Sequence, residues 1–93
     1  MAASPQTHPL VAGVVLTVNF DADFDRVELT CLVAGAVAYF RLDGVDPVGA
    51  AAGVHALPSV VGATVERSVP SGGLTQVRLI STGTPTVHIR AFN

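Results

Sequence analysis

From residue 14 onward the chain alternates. Val14, Leu16, Val18 and Phe20 fall on one side while Val15, Thr17 and Asn19 fall on the other, a period of two that belongs to strands with one buried face. The pattern returns after the carboxylate-rich break at 21–25: Val27, Leu29, Cys31 and Val33 face one way, Arg26, Glu28, Thr30 and Leu32 the other. It returns again over 36–42, with Ala36, Ala38, Phe40 and Leu42 inward and Tyr39 and Arg41 outward. Three further β-rich runs lie at 64–69, 75–81 and 86–92, with Val77, Leu79, Val87, Ile89 and Ala91 inward and Gln76, Arg78, His88 and Arg90 outward. Turn signals separate these runs at the spacing of about 8–12 residues expected of an all-β domain. No helical period of useful length interrupts them.

The sequence therefore predicts an all-β fold, a small antiparallel β-sandwich of about six to seven strands. Ala34-Gly35 reads as a tight hairpin turn. The D-G-V-D-P run at 43–47 ends the third strand, the small-residue stretch 48–62 reads as a long loop crossing between sheets, and Pro70-Ser71-Gly72-Gly73 separates two later strands. Leu16, Val18, Leu29, Cys31, Phe40, Val77, Leu79, Val87 and Ile89 are the expected core. Residues 1–9, M-A-A-S-P-Q-T-H-P, carry two prolines and no apolar period, so they read as an extended arm preceding a single domain over 10–93.

Composition narrows function. With 49% apolar and 13% charged residues the chain folds rather than staying disordered, and its surface is built from Ala, Val, Gly, Ser and Thr, as surfaces that meet other proteins often are. Five Arg, no Lys and seven carboxylates give a net charge of −2, so there is no basic stripe for nucleic acid or anionic lipid. The apolar stretch at 10–18 is far short of the ~20 residues of a membrane helix, and no secretory signal is expected. Cys31 stands alone, which excludes an internal disulfide.

Candidate chemistry is thin. Asp21, Asp23 and Asp25 have the opening spacing of a calcium loop, but Arg26 stands where that loop needs glycine and Leu32 where it needs its closing glutamate. His8, His55 and His88 fall in an arm, a loop and a strand without metal-ligand spacing. Cys31 faces inward as a small hydrophobe, and Ser59 lacks a nucleophile elbow. No catalytic residue, metal or cofactor is expected, and the chain reads as a non-enzyme.

The Y-F-R-L-D-G-V-D-P run at 39–47, A-L-P at 56–58 and V-R-L-I-S-T-G at 77–83 together resemble small β-sandwich proteins of tailed bacteriophages that decorate the capsid or accompany the tail. The likeness covers about residues 14–92. A similar aromatic strand and D-G-x-x-P turn occur in sandwich modules of bacterial glycoside hydrolases, where a threonine commonly precedes the turn; Arg41-Leu42 stands there instead. The phage resemblance implies a virion protein assembled in the host cytoplasm, a homo-oligomer such as a trimer, bound to the major capsid protein or another virion protein. It implies that the chain stabilises the outer capsid lattice. A carbohydrate- or host-surface-binding module, or a tail-associated protein, is the alternative.

Interface candidates follow from the outward positions. Tyr39, Arg41, Arg78, His88 and Arg90 carry the aromatic and guanidinium groups that anchor interfaces. Pro5, His8 and Pro9 belong to the arm, whose prolines reduce the entropy lost on docking against a neighbour.

Overall fold

The computed structural model describes residues 2–70 and 72–93. Eight strands form β1 (Gln6–Pro9), β2 (Leu16–Asn19), β3 (Arg26–Val33), β4 (Ala38–Arg41), β5 (His55–Leu57), β6 (Thr64–Ser68), β7 (Gln76–Ser81) and β8 (Thr86–Phe92). They make two four-stranded sheets, in the orders β1-β8-β3-β6 and β2-β7-β4-β5, with every strand pair antiparallel. No helix among the described residues is long and apolar enough to cross a membrane.

The inward residues of both sheets meet in one apolar cluster that includes Phe20, Leu29, Phe40, Leu57, Leu79 and Ile89, all essentially inaccessible. Of the nine residues expected in the core, eight are buried. Leu16 is half-buried and packs against the cluster's margin. Thr75, buried just before β7, accepts a hydrogen bond at Oγ1 from the Phe24 amide at 2.8 Å, which fastens the β2–β3 loop and sets Phe24 edge-on to Phe20.

Four expectations need correction. The 1–9 segment, of which Met1 lies outside the described residues, is not a free arm: Gln6–Pro9 pair with β8 as an edge strand. Upstream, Ala2 bonds beside β2, donating to Asn19 O and accepting from the Asp21 amide, so one short segment spans the edges of both sheets. Between these contacts Pro5 has no N–H to offer, and the Ser4 hydroxyl takes over the bonding to β8, donating to Ala91 O at 2.9 Å and accepting from Ala91 N at 2.8 Å.

Ala34-Gly35 is not a hairpin, since β3 and β4 lie in different sheets. A two-residue hairpin turn demands positive φ, and Gly35 lacks it. Its smallness serves a close approach instead, because a Cβ there would lie 2.6 Å from Pro85 N and 2.9 Å from Thr84 C. The 48–62 stretch contains β5, which pairs with β4 before the chain crosses to β6. Finally, Val33 points outward: the β3–β8 register slips between Cys31 and Val33, and such a bulge turns the following side chain to the other face. The strand count is therefore eight, β1 and β5 being additional. In the 70–73 break, Ser71 lies outside the described residues.

Candidate interaction surface

The outer face of the β1-β8-β3-β6 sheet is a cross-strand lattice of polar groups. Thr7 Oγ1 lies 3.0 Å from His88 Nδ1 and Thr30 Oγ1 3.1 Å from Thr64 Oγ1. Arg26 meets Glu66 at 2.7 Å, and Arg90 reaches Glu28 at 3.6 Å while its guanidinium sits 4.3 Å above the Phe92 ring. Two of the interface candidates, His88 and Arg90, are thus engaged within their own sheet. Exposed pairs of this kind contribute about 0–1 kcal/mol each, and the face reads as solvated.

The outer face of the other sheet is partly covered by the chain's longest loop, 42–54. Arg41 of β4 grips Asp43 through two bonds, Nε to Oδ1 at 3.0 Å and a second nitrogen to Oδ2 at 2.6 Å, and this holds the Asp43 carboxyl at about 2, well below the usual range. Arg78 of β7 holds Asp46 at 2.7 Å and donates to Gln76 Oε1 at 2.9 Å. With both aspartates tied to the sheet, the loop leaves a largely apolar cleft of about 270 Å³ beneath Val48, lined by Tyr39, Ile80, Gly13 and Ser81. Tyr39, Arg41 and Arg78 therefore do share a sheet face, with Tyr39 alone of the three lining the cleft, but that face is opposite to that of His88 and Arg90. The outward residues expected to make one contact do not form a single site. Pro5, His8 and Pro9 occupy the β1 edge, and His8, opposite buried Val87, takes the inward side of that strand.

A surface that residue-by-residue reading misses lies at one end of the sheets. Four connections converge there, β1–β2 (10–15), β3–β4 (34–37), β5–β6 (58–63) and β7–β8 (82–85), as the strand directions require. Their sequences are L-V-A-G-V-V, A-G-A-V, P-S-V-V-G-A and T-G-T-P, without one charged side chain. Val11, Val14, Leu32, Val33, Val60 and Val61, at or beside these turns, are 43–65% exposed. All five aspartates, Asp21, Asp23, Asp25, Asp43 and Asp46, belong instead to loops that leave the opposite end. The signal is present in the sequence, but only the topology brings four separated segments together.

Groups with catalytic or metal-binding chemistry are occupied or dispersed. Cys31 is buried with its thiol 3.5 Å from Val33 O, and Ser59 Oγ accepts the Gly35 amide at 2.9 Å. His55 is not a surface loop residue: it sits in β5, its ring 5.2 Å from that of Phe40, and accepts from Arg67 Nε at 3.4 Å. Burial, then the nearby Arg67 charge, lowers its pKa. Among the described residues no three His, Cys, Asp or Glu side chains gather at one point.

No family model, curated protein or solved structure matches this chain.

Proposed function

We propose that the two sheets form a β-sandwich of the jelly-roll kind and that the chain is a non-enzymatic virion accessory protein, docking by its uncharged end on a capsid lattice. The strand orders β1-β8-β3-β6 and β2-β7-β4-β5 follow the eight-strand jelly roll, an architecture used by viral capsid and lectin domains alike. Fold alone does not choose between those uses.

The observation that carries the choice is the uncharged end. Six exposed aliphatic side chains without a charge in the four loops form a surface that sheds water on docking without stripping any ion of its hydration. A contact of this size is weak singly, and repetition over a lattice multiplies it through effective concentration. The glycan-binding alternative needs open aromatic faces. Tyr39 is half-buried within its cleft and Phe92 lies under Arg90, so the protein surface is the better supported partner.

The test is gradient banding of virions assembled with the wild-type chain or with Val14→Asp. The wild-type chain is expected to band with particles and the variant to be depleted from them. Wild-type protein found only at the top of the gradient overturns the reading.

A further inference from the structure

We propose that His55 and Arg67 form an acid-released latch between the two sheets, closed while the His55 ring is neutral and opened when the ring takes a proton.

The two residues sit where strand parity expects aliphatic side chains. In β5, His55 shares the inward side with buried Leu57 and lies opposite buried Phe40. In β6, Arg67 shares the inward side with half-buried Val65 and lies opposite buried Val27. β5 and β6 are edge strands of different sheets, and they touch along one margin of the sandwich. Each edge thus places a basic group at an inward position, and the two groups meet across the gap between the sheets.

Two basic groups share such a gap without repulsion only when one is uncharged. An arginine has N–H donors and no acceptor, so in the Nε to Nδ1 contact of 3.4 Å the Nδ1 lone pair is free and the ring neutral. Protonation turns Nδ1 into a second donor and the pair into two like charges. The surrounding groups offer no compensation. β4 and the loop after it bring Phe40, against whose ring His55 lies, and Arg41 and Asp43, which are already paired with each other. β3 brings its inward row of Val27, Leu29 and Cys31, and the Glu66 carboxylate of β6 is turned to Arg26 on the outer face. Burial, then the Arg67 charge, accordingly holds the ring below its ordinary pKa.

The latch has something to release. Among the described residues it is the only hydrogen bond joining β5 to β6, whereas at the opposite margin Ala2 and Ser4 tie one short segment to both sheets. β6 is thinly held, with four of its five residues exposed, and elements with so little burial open first. Arg67 also caps the edge. Its Nη1 donates to Glu66 O at 2.7 Å, and Glu66 O points to the unpaired side of β6, because the odd-numbered neighbours Ala63 and Val69 bond to β3. An inward-pointing charge on an edge strand keeps further strands from pairing there, so withdrawing it uncovers that row.

The experiment is amide exchange on the isolated chain between about pH 7.5 and about pH 5, corrected for intrinsic rates, with the His55 ring followed by NMR in the same samples. The Cys31 and Val69 amides, bonded to Ala63 O at 2.9 Å and Asp25 O at 2.8 Å, report on β6, and the Phe20 amide, bonded to Thr75 O at 2.9 Å, reports on the far margin. In wild type, protection at Cys31 and Val69 is expected to fall about twofold to tenfold relative to Phe20, the span of one hydrogen bond's net strength, in step with the ring's titration. His55→Gln and Arg67→Leu should both lose that fall. The ring of Arg67→Leu should also titrate at higher pH than in wild type, which a packing role for Arg67 would not produce. A ratio that stays constant while the wild-type ring titrates, a fall that persists in either variant, or a ring whose titration ignores Arg67→Leu overturns the proposal. A circular dichroism melt checks that each variant folds, and the wild-type ratio decides even where a variant does not. Particle banding plays no part in this result, so failure here is separate from failure of the virion reading.

Discussion

Ser4→Ala isolates what the N-terminal segment does. The Ser4 hydroxyl satisfies both backbone groups of Ala91, a residue only 4% exposed, at the point where β1 has already turned away from β8. Alanine removes donor and acceptor together and puts nothing in their place. Each lost bond costs about 1 kcal/mol, and leaving a buried amide and carbonyl under-satisfied raises the total to about 2–4 kcal/mol. At about 4–8 °C per kcal/mol for a domain of this size, Tm should fall by roughly 10–25 °C. Scanning calorimetry measures this directly, with Ser68→Ala, at an exposed edge position, as control. Amide exchange gives a second readout, since Ala91 N–H should lose protection. A Tm within about 2 °C of the control, with Ala91 still protected, would refute the view that this segment is part of the fold and return it to the status of an arm.

Gly35→Ala should cost about 1–3 kcal/mol by overpacking, because its Cβ would meet the Thr84–Pro85 backbone; an unchanged denaturant midpoint would show that the approach is looser than described. The Cys31 thiol, 1% exposed, should resist a thiol reagent in the native protein and react once denatured, and rapid native labelling would contradict its burial. His55 has a folded pKa below its ordinary 6.5, so the unfolded chain binds the extra proton. Its contribution to stability is complete above about 6.5 and is lost as pH falls from there toward the folded value. Melting temperature should drop on acidification through that window, and His55→Gln should flatten the drop; equal slopes for both proteins would count against it.

Alternation made β3, β7 and β8 legible, since Val27, Leu29, Val77, Leu79, Val87 and Ile89 sit on half-buried strands whose two faces differ in polarity. β1 escaped because it lies at an edge, where the inward positions are Gln6 and His8 rather than aliphatic residues. β5 has three residues set in an Ala- and Gly-rich stretch, too few for a period to register. Val33 was misassigned because one bulge inverts every side chain beyond it. The candidate surface was least legible of all. Parity separates inward from outward but does not say which sheet a strand joins, so Tyr39 and His88 look equivalent in sequence and lie on opposite faces. The uncharged loops at 10–15, 34–37, 58–63 and 82–85 each look like ordinary small-residue connections.

The two ends of the chain enter and leave the fold on the same side. Ala2 bonds beside the end of β2, and Phe92 O accepts the Asp25 amide at the end of β8, both at the aspartate-bearing end. A cargo protein or affinity label fused to either terminus would project away from the aliphatic turns and leave them free. Under the docking proposed above, the molecule has the layout of a genetic display handle, in which a payload is added at the end away from the docking surface.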